Sequence, residues 1–318
     1  MKKTVLLVAL LASTIALAQQ PAGAGGGQRP QAPPDNRPGM DQVREARRNA
    51  NQGNFDQAIA LYQQALQANP QLMEAESGIG AILDVEGKYD EARKHFANAI
   101  ELAKPDQKVG ALKSMAISYA FQKNCKDATK YEQQAFDSQM AATPPDYVAA
   151  AETADELARI CLESGDFNAA EKWYKTGHET AFKKSDLTDA EKDLWNFRWE
   201  HAQARLAARR GKKAEAEKHV AAAKAIIDRG VIDKAQAAFL PYLVGYVAFY
   251  TGDYKTAIDQ LQQANQRDPF ILVLLAQAYE KSGQKDQAMD LYKKVLAMNI
   301  HNPTGAFSRP LAKEKVGS

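Results

Sequence analysis

Cysteine is almost absent, with two residues in 318. That excludes a disulfide-dense scaffold and a zinc site built from four thiolates. Net charge is nearly absent too. Lysine and arginine total 41 and aspartate and glutamate 39, a formal +2. Lys2 and Lys3 lie in the leader described below, so the remainder balances at zero and has no general electrostatic reason to bind nucleic acid or an anionic membrane. Catalytic signatures are missing. The five histidines, His95, His178, His201, His219 and His301, include no pair three or four residues apart, and no G-x-S-x-G elbow occurs. Gly78 and Gly80 lie inside a helical pattern, and Gly23 to Gly27 has neither a preceding strand nor a Lys-Ser/Thr end. These absences point away from an enzyme and from any cofactor or metal.

Long apolar runs are scarce as well. The one candidate, Val5 to Ala18, follows Met1-Lys2-Lys3 and ends in Ala16-Leu17-Ala18. A basic start, a short apolar stretch and a small-x-small end form the pattern of a cleaved secretory signal, and the run is shorter than the roughly 20 residues needed to span a bilayer. Cleavage is expected after Ala18, leaving a chain with no membrane span in a periplasmic or secreted location. Residues 19–39, rich in Pro, Gly and Gln, hold too little apolar surface to offset the entropy of ordering and are expected to form a disordered tether.

The rest of the chain repeats itself. Gly53, Phe55, Ala58, Tyr62 and Ala65 recur 34 residues later as Gly87, Tyr89, Ala92, Phe96 and Ala99. The frame returns at Gly165, Phe167, Ala170 and Tyr174, at Gly252, Tyr254, Ala257 and Leu261, and at Gly283, Ala288 and Tyr292. Weaker copies are Gly211, Ala216, Val220 and Ala223, and Cys125, Ala128 and Ala135, where Lys123 stands in the glycine position. Each glycine suits a left-handed helix end. The alanine five residues on suits a close helix crossing, and the residue four further on shares its face. Thr188-Asp-Ala-Glu191 is a capping box that opens a long helix reaching Arg210, and Thr143-Pro-Pro145 is expected to begin another. The glycine spacings of 34, 46, 41 and 31 are uneven, so the middle units carry longer helices or linkers, and the register near Gly211 stays open.

This pattern resembles the tetratricopeptide repeat family over residues 40–300. The resemblance implies an all-α fold, a right-handed solenoid of about seven helix hairpins around a concave groove. It further implies that the residues ten, six, three and two before each glycine face that groove. Before Gly252 these are Tyr242, Tyr246, Phe249 and Tyr250. Before Gly211 they include His201, Arg205 and Arg209, and before Gly165 they include Arg159 with Asp155 and Glu163. An aromatic strip beside arginines suits an interaction surface, and two readings stay open: a groove for a partner protein segment in the cell envelope, or core. A glycan or small ligand stacked on the same aromatics is the alternative occupant. The frame also places Cys125 and Cys161 as neighbours, either bonded in an oxidising compartment or two small buried residues. Pro303, Phe307 and Pro310 give the tail, 301–318, the means to cover the last hairpin, and the residues do not decide whether it is ordered.

Overall fold

The computed structural model describes residues 35–317. The expected signal, 1–18, and the expected tether as far as residue 34 lie outside the described residues. All regular structure among the described residues is helical, and the helices pair in chain order. The pairs are α1 (Met40–Asn51) with α2 (Phe55–Ala68), α3 (Met73–Glu86) with α4 (Tyr89–Leu102), α5 (Pro105–Phe121) with α6 (Cys125–Met140), and α7 (Tyr147–Ser164) with α8 (Phe167–Ala181). Then follow α9 (Asp189–Arg209) with α10 (Lys213–Asp228), α11 (Leu240–Tyr250) with α12 (Tyr254–Leu261), and α13 (Pro269–Lys281) with α14 (Lys285–Leu296). A short 3-10 turn, Lys234–Phe239, precedes α11, and a last helix, α15 (Pro303–Gly317), has no partner of its own. This is an all-α repeat solenoid of seven hairpins.

The repeat frame sets each hairpin. Six of the seven turns place a glycine at φ between 72° and 91°, and the seventh places Lys123 at φ 54°. The alanine five residues on is Ala58, Ala92, Ala128, Ala170, Ala216, Ala257 or Ala288, and each is at most 1% exposed. At these crossings a larger side chain would push the helices apart. The position four further on fills the layer between hairpins with Tyr62, Phe96, Tyr174, Leu261 and Tyr292. In the third hairpin a carboxylate, Glu132, stands there instead, fully buried with neither oxygen hydrogen-bonded. Burial, and then the neighbouring Glu156, push its pKa well up, while Lys113 pulls the other way. Lys113 bonds Glu156 at 3.3 Å, and burial opposes its charge less than Glu156 and Glu132 sustain it.

The capping box opens α9 as its residues imply: Thr188 Oγ1 accepts from Glu191 N at 3.2 Å and Glu191 Oε2 from Thr188 N at 2.7 Å. The helix expected at Thr143 starts later, at Tyr147, because Asp146 supplies the cap by accepting from Ala149 N at 3.0 Å. Residues 35–39 depart from the tether expectation. Arg37 pairs with Glu74 of α3 at 2.5 Å and, locally, with Asp35 at 2.7 Å, and the long-range pair to α3 holds a segment whose composition alone argues for disorder. Cys125 and Cys161 form a disulfide joining the start of α6 to the end of α7.

The solenoid closes on itself. One apolar core takes in Ala116 and Phe121 of α5, Ile160 of α7, Tyr242 and Tyr246 of α11, Phe270 and Leu274 of α13, and Phe307 of α15. The tail, whose order the sequence left undecided, is the helix α15, lying against α5 and α7 as well as against the last hairpin.

Candidate functional site on the concave face

Three helices each present a stripe at i, i+4 spacing, which in an α-helix is one face. On α7 the stripe is Asp155, Arg159 and Glu163; on α9 it is His201, Arg205 and Arg209; on α11 it is Tyr242, Tyr246 and Tyr250. The stripes meet inside the curve of the solenoid. Tyr246 Oη donates to Glu163 Oε1 at 3.0 Å, Arg209 Nη1 donates to Glu163 Oε2 at 2.7 Å, and Arg159 Nη2 donates to Tyr242 Oη at 3.4 Å. The Arg209 guanidinium lies 4.7 Å from the Tyr250 ring and 5.3 Å from the Phe167 ring. That of Arg205 lies 5.5 Å from the Tyr174 ring, and its Nε donates to the His201 carbonyl at 3.3 Å. His201 stacks on Tyr242 at 5.6 Å between ring centroids, and Tyr246 lies 4.6 Å from Tyr250.

Of the eight residues expected to line a partner groove, seven come together here. Phe249 sits aside, against Tyr250 and Tyr254. Among the described residues these side chains line no open groove. Tyr242, Tyr246, His201 and Arg205 are buried, while Arg159, Arg209, Phe249 and Tyr250 are half-buried. The reason is long-range packing: Phe270 of α13 and Phe307 of α15 fold into the concavity, and both rings lie on Arg159, at 5.4 and 5.8 Å. The aromatic strip is therefore core, and the solvent-facing remainder is its rim.

The electrostatics follow from burial. His201 is held neutral: burial first, then Arg205 and Arg159, lower its pKa well below the usual value. Asp155 is pushed up to about 7 by burial, against the opposing pull of Arg198 and Arg205. Tyr174 is pushed up to about 12, again by burial. Three buried polar atoms in this cluster, Arg159 Nε, His201 Nε2 and Tyr174 Oη, have no hydrogen-bond partner. Such orphans are uncommon in folded chains. Nothing in the cluster pairs a nucleophile with a base, and among the described residues no three His, Cys, Asp or Glu side chains are placed to hold a metal ion. What the arrangement offers chemically is a set of cationic and neutral donors beside aromatic faces.

Sequence reasoning placed Asp155 and Glu163 on this face without marking them as site residues. Their spacing of four from Arg159 on either side was the available signal. Tyr174 was visible only as a repeat position, Phe307 only as a residue able to cover the last hairpin, and Phe270 carried no signal at all.

Comparison with known proteins gives two matches to tetratricopeptide repeat models, over residues 50–116 and 242–303. A tetratricopeptide repeat protein from Parabacteroides merdae ATCC 43184 is similar in structure, at 14% identity and a TM-score of 0.48, over 88% of this chain and 97% of that one. A chain of the APC/C hetero-tetramer Cut9-Hcn1 is similar at 13% identity and a TM-score of 0.43, over 86% of this chain and 48% of that one. No curated protein matches the sequence. Among the described residues no helix is long and apolar enough to cross a membrane.

Proposed function

Because this chain belongs to the tetratricopeptide repeat family, whose repeats serve in general as protein-interaction scaffolds, we propose that it is a non-catalytic scaffold exported to the periplasm. There it takes a partner protein's segment on its concave face, through Arg159, Arg205 and Arg209 and the rim aromatics Phe249 and Tyr250. The observation that carries this reading is a set of buried polar atoms without partners, the donors Arg159 Nε and Tyr174 Oη and the ring nitrogen His201 Nε2, gathered about Arg205. Unmet buried donors cost stability that a purely structural core would shed by substitution. They suit a segment bearing carboxylates or carbonyls. Export is supported by the leader pattern and by the Cys125–Cys161 disulfide, since such bonds persist in oxidising compartments.

The alternative, a glycan or small molecule stacked on the aromatics, has less support, because Tyr242 and Tyr246 are buried, the first stacked on His201 and the two meeting edge to face. The test is affinity capture from an envelope extract with the wild-type chain and with the Phe249→Ala/Tyr250→Ala variant, beside fractionation and N-terminal sequencing. A partner captured by the first and lost by the second, with a mature chain starting at Gln19, is the expected result. Equal capture by both removes the concave face from the reading, and a chain retained in the cytoplasm with Met1 removes the export.

A further inference from the structure

The helix that closes the concavity is poorly suited to stand alone. In α15, Pro310 lies inside the helix, where it lacks an N–H and crowds the preceding turn, and Gly305 and Gly317 add two weak helix formers. Tertiary contacts hold it. Arg309 donates to the carbonyls of Leu296, at 2.8 Å, and Met298, at 3.1 Å, at its own end of the chain, and to that of Val85, at 2.7 Å, where α3 ends. Lys313 reaches the Glu86 carbonyl at 3.1 Å. Just before the helix, His301 bonds Asp84 at 2.8 Å. A cleft of about 550 Å³, lined by Val85, Gly87, Tyr89, Pro310 and Lys313, separates the outer half of α15 from the turn between α3 and α4.

The seat also keeps an unmet donor. Arg159 and Arg205 lie on the face beneath, beside Asp155 and Glu163, and Arg159 Nε has no hydrogen-bond partner, while the cations of α15 turn elsewhere, Arg309 and Lys313 to carbonyls of α3 and Lys315 to Glu280 at 3.0 Å. Over Arg159 α15 places the Phe307 ring, which attracts a guanidinium but supplies no hydrogen-bond acceptor in its plane. A carboxylate in that place would give Arg159 the charge-assisted bonds that a phenyl ring cannot.

We infer that α15 is a releasable clasp, an intrachain occupant of the concave face that yields to an acidic partner segment whose carboxylate takes the place of Phe307 on Arg159. The inference rests on the reading of the concave face as the partner face, and it explains why that face is covered at rest. A helix of weak local propensity, held by tertiary contacts alone, can open without global unfolding.

Two measurements on the full chain test it. In native-state hydrogen exchange, α15 amides are expected to exchange at least a hundredfold faster than those of α7 and α8. If α15 exchanges only with global unfolding, it is permanent core and the clasp is overturned. In fluorescence polarisation, labelled hexaglutamate is expected to bind the Phe307→Ala/Arg309→Ala variant at least tenfold more tightly than the wild type, with hexaglutamine as control. Adding Arg159→Ala is expected to remove the gain. Equal binding by all three overturns the acidic occupant, and so does a loosened variant that dimerises instead, because the occupant is then a second copy's α15. The exchange measurement needs no partner, so failure to capture one from the envelope leaves the clasp result readable by itself.

Discussion

The disulfide offers the most direct quantitative test of how this solenoid is held. Cys125 and Cys161 are 36 residues apart, and the loop they close runs through the whole of α6 and most of α7. Closing a loop of that length removes entropy from the unfolded chain worth about 4 kcal/mol at 25 °C. Little is added from packing. Cys161 is fully buried beside Leu157, Leu162 and Trp173, and reduced thiols would fill the same space. Reduction is therefore expected to cost about 2–4 kcal/mol, which moves a urea midpoint by about 1 M for an m of about 3 kcal/mol/M. Tryptophan fluorescence suits the assay, because Trp173, Trp195 and Trp199 all lie in the fourth and fifth hairpins, adjoining the bond. Cys125→Ala/Cys161→Ala should reproduce the shift without reductant. Two free thiols on the unfolded, unreduced chain, or a midpoint that does not move on reduction, would refute the reasoning.

The other expectations concern single positions. Lys123→Gly should raise the urea midpoint: a left-handed non-glycine residue costs about 1–2 kcal/mol, glycine's extra unfolded-state entropy returns about half of that, and a lowered midpoint would refute it. Glu132→Met should stabilise the chain by about 1–4 kcal/mol in thermal melts at pH 8, since it replaces a fully buried carboxyl crowded by Glu156 with an apolar chain of similar volume. For Asp155 the folded pKa of about 7 lies above the ordinary aspartate value of 3.8, so stability falls as pH rises from about 4 to about 7 and is level beyond. Asp155→Asn should abolish that slope. Its gain at pH 8 should be about 2 kcal/mol, half the ceiling of about 4 because the side chain keeps some exposure, and a gain equal at pH 5 and pH 8 would rule the titration out.

The hairpins could be read from the sequence because each is decided locally. A left-handed turn residue, a small residue at the crossing and a large one in the layer are choices made within ten positions, and they held even where Lys123 replaced glycine and Glu132 replaced an aromatic. The capping box at Thr188 was legible for the same reason. The concave face was legible only halfway. The i, i+4 stripes gave its membership, but not whether solvent or protein lay opposite them. That depends on curvature accumulated over seven hairpins, which no local pattern encodes. Arg159 meets Tyr242 across 83 residues, and Arg309 meets Val85 across 224. Pro303, Phe307 and Pro310 showed that the tail could cover something without showing that it reaches the second and third hairpins.

That closure changes how the molecule should unfold. An open solenoid is stabilised by a chain of nearest-neighbour interfaces, so its ends can fray independently. Here the segment after the last hairpin is bonded to the second and third. Asp84, on α3, is fully buried; one oxygen accepts from Ser118 Oγ at 2.9 Å and the other bonds His301 Nε2 at 2.8 Å, while His301 also packs against Phe96 and Phe121. A contact joining residues 217 apart couples the two ends. Loss of the C-terminal hairpin then exposes the N-terminal core, and the transition becomes more nearly all-or-none. Asp84→Ala removes the shared acceptor and leaves Ser118 and His301 unmet, at about 1–3 kcal/mol. The more telling consequence is in the shape of the transition. Wild type should unfold with coincident helical and tryptophan signals, whereas Asp84→Ala should separate them, because the tryptophans lie in the middle hairpins and the ends are freed to melt first. Coincident signals in the variant, merely shifted to lower urea, would mean that the seam adds stability without coupling the ends.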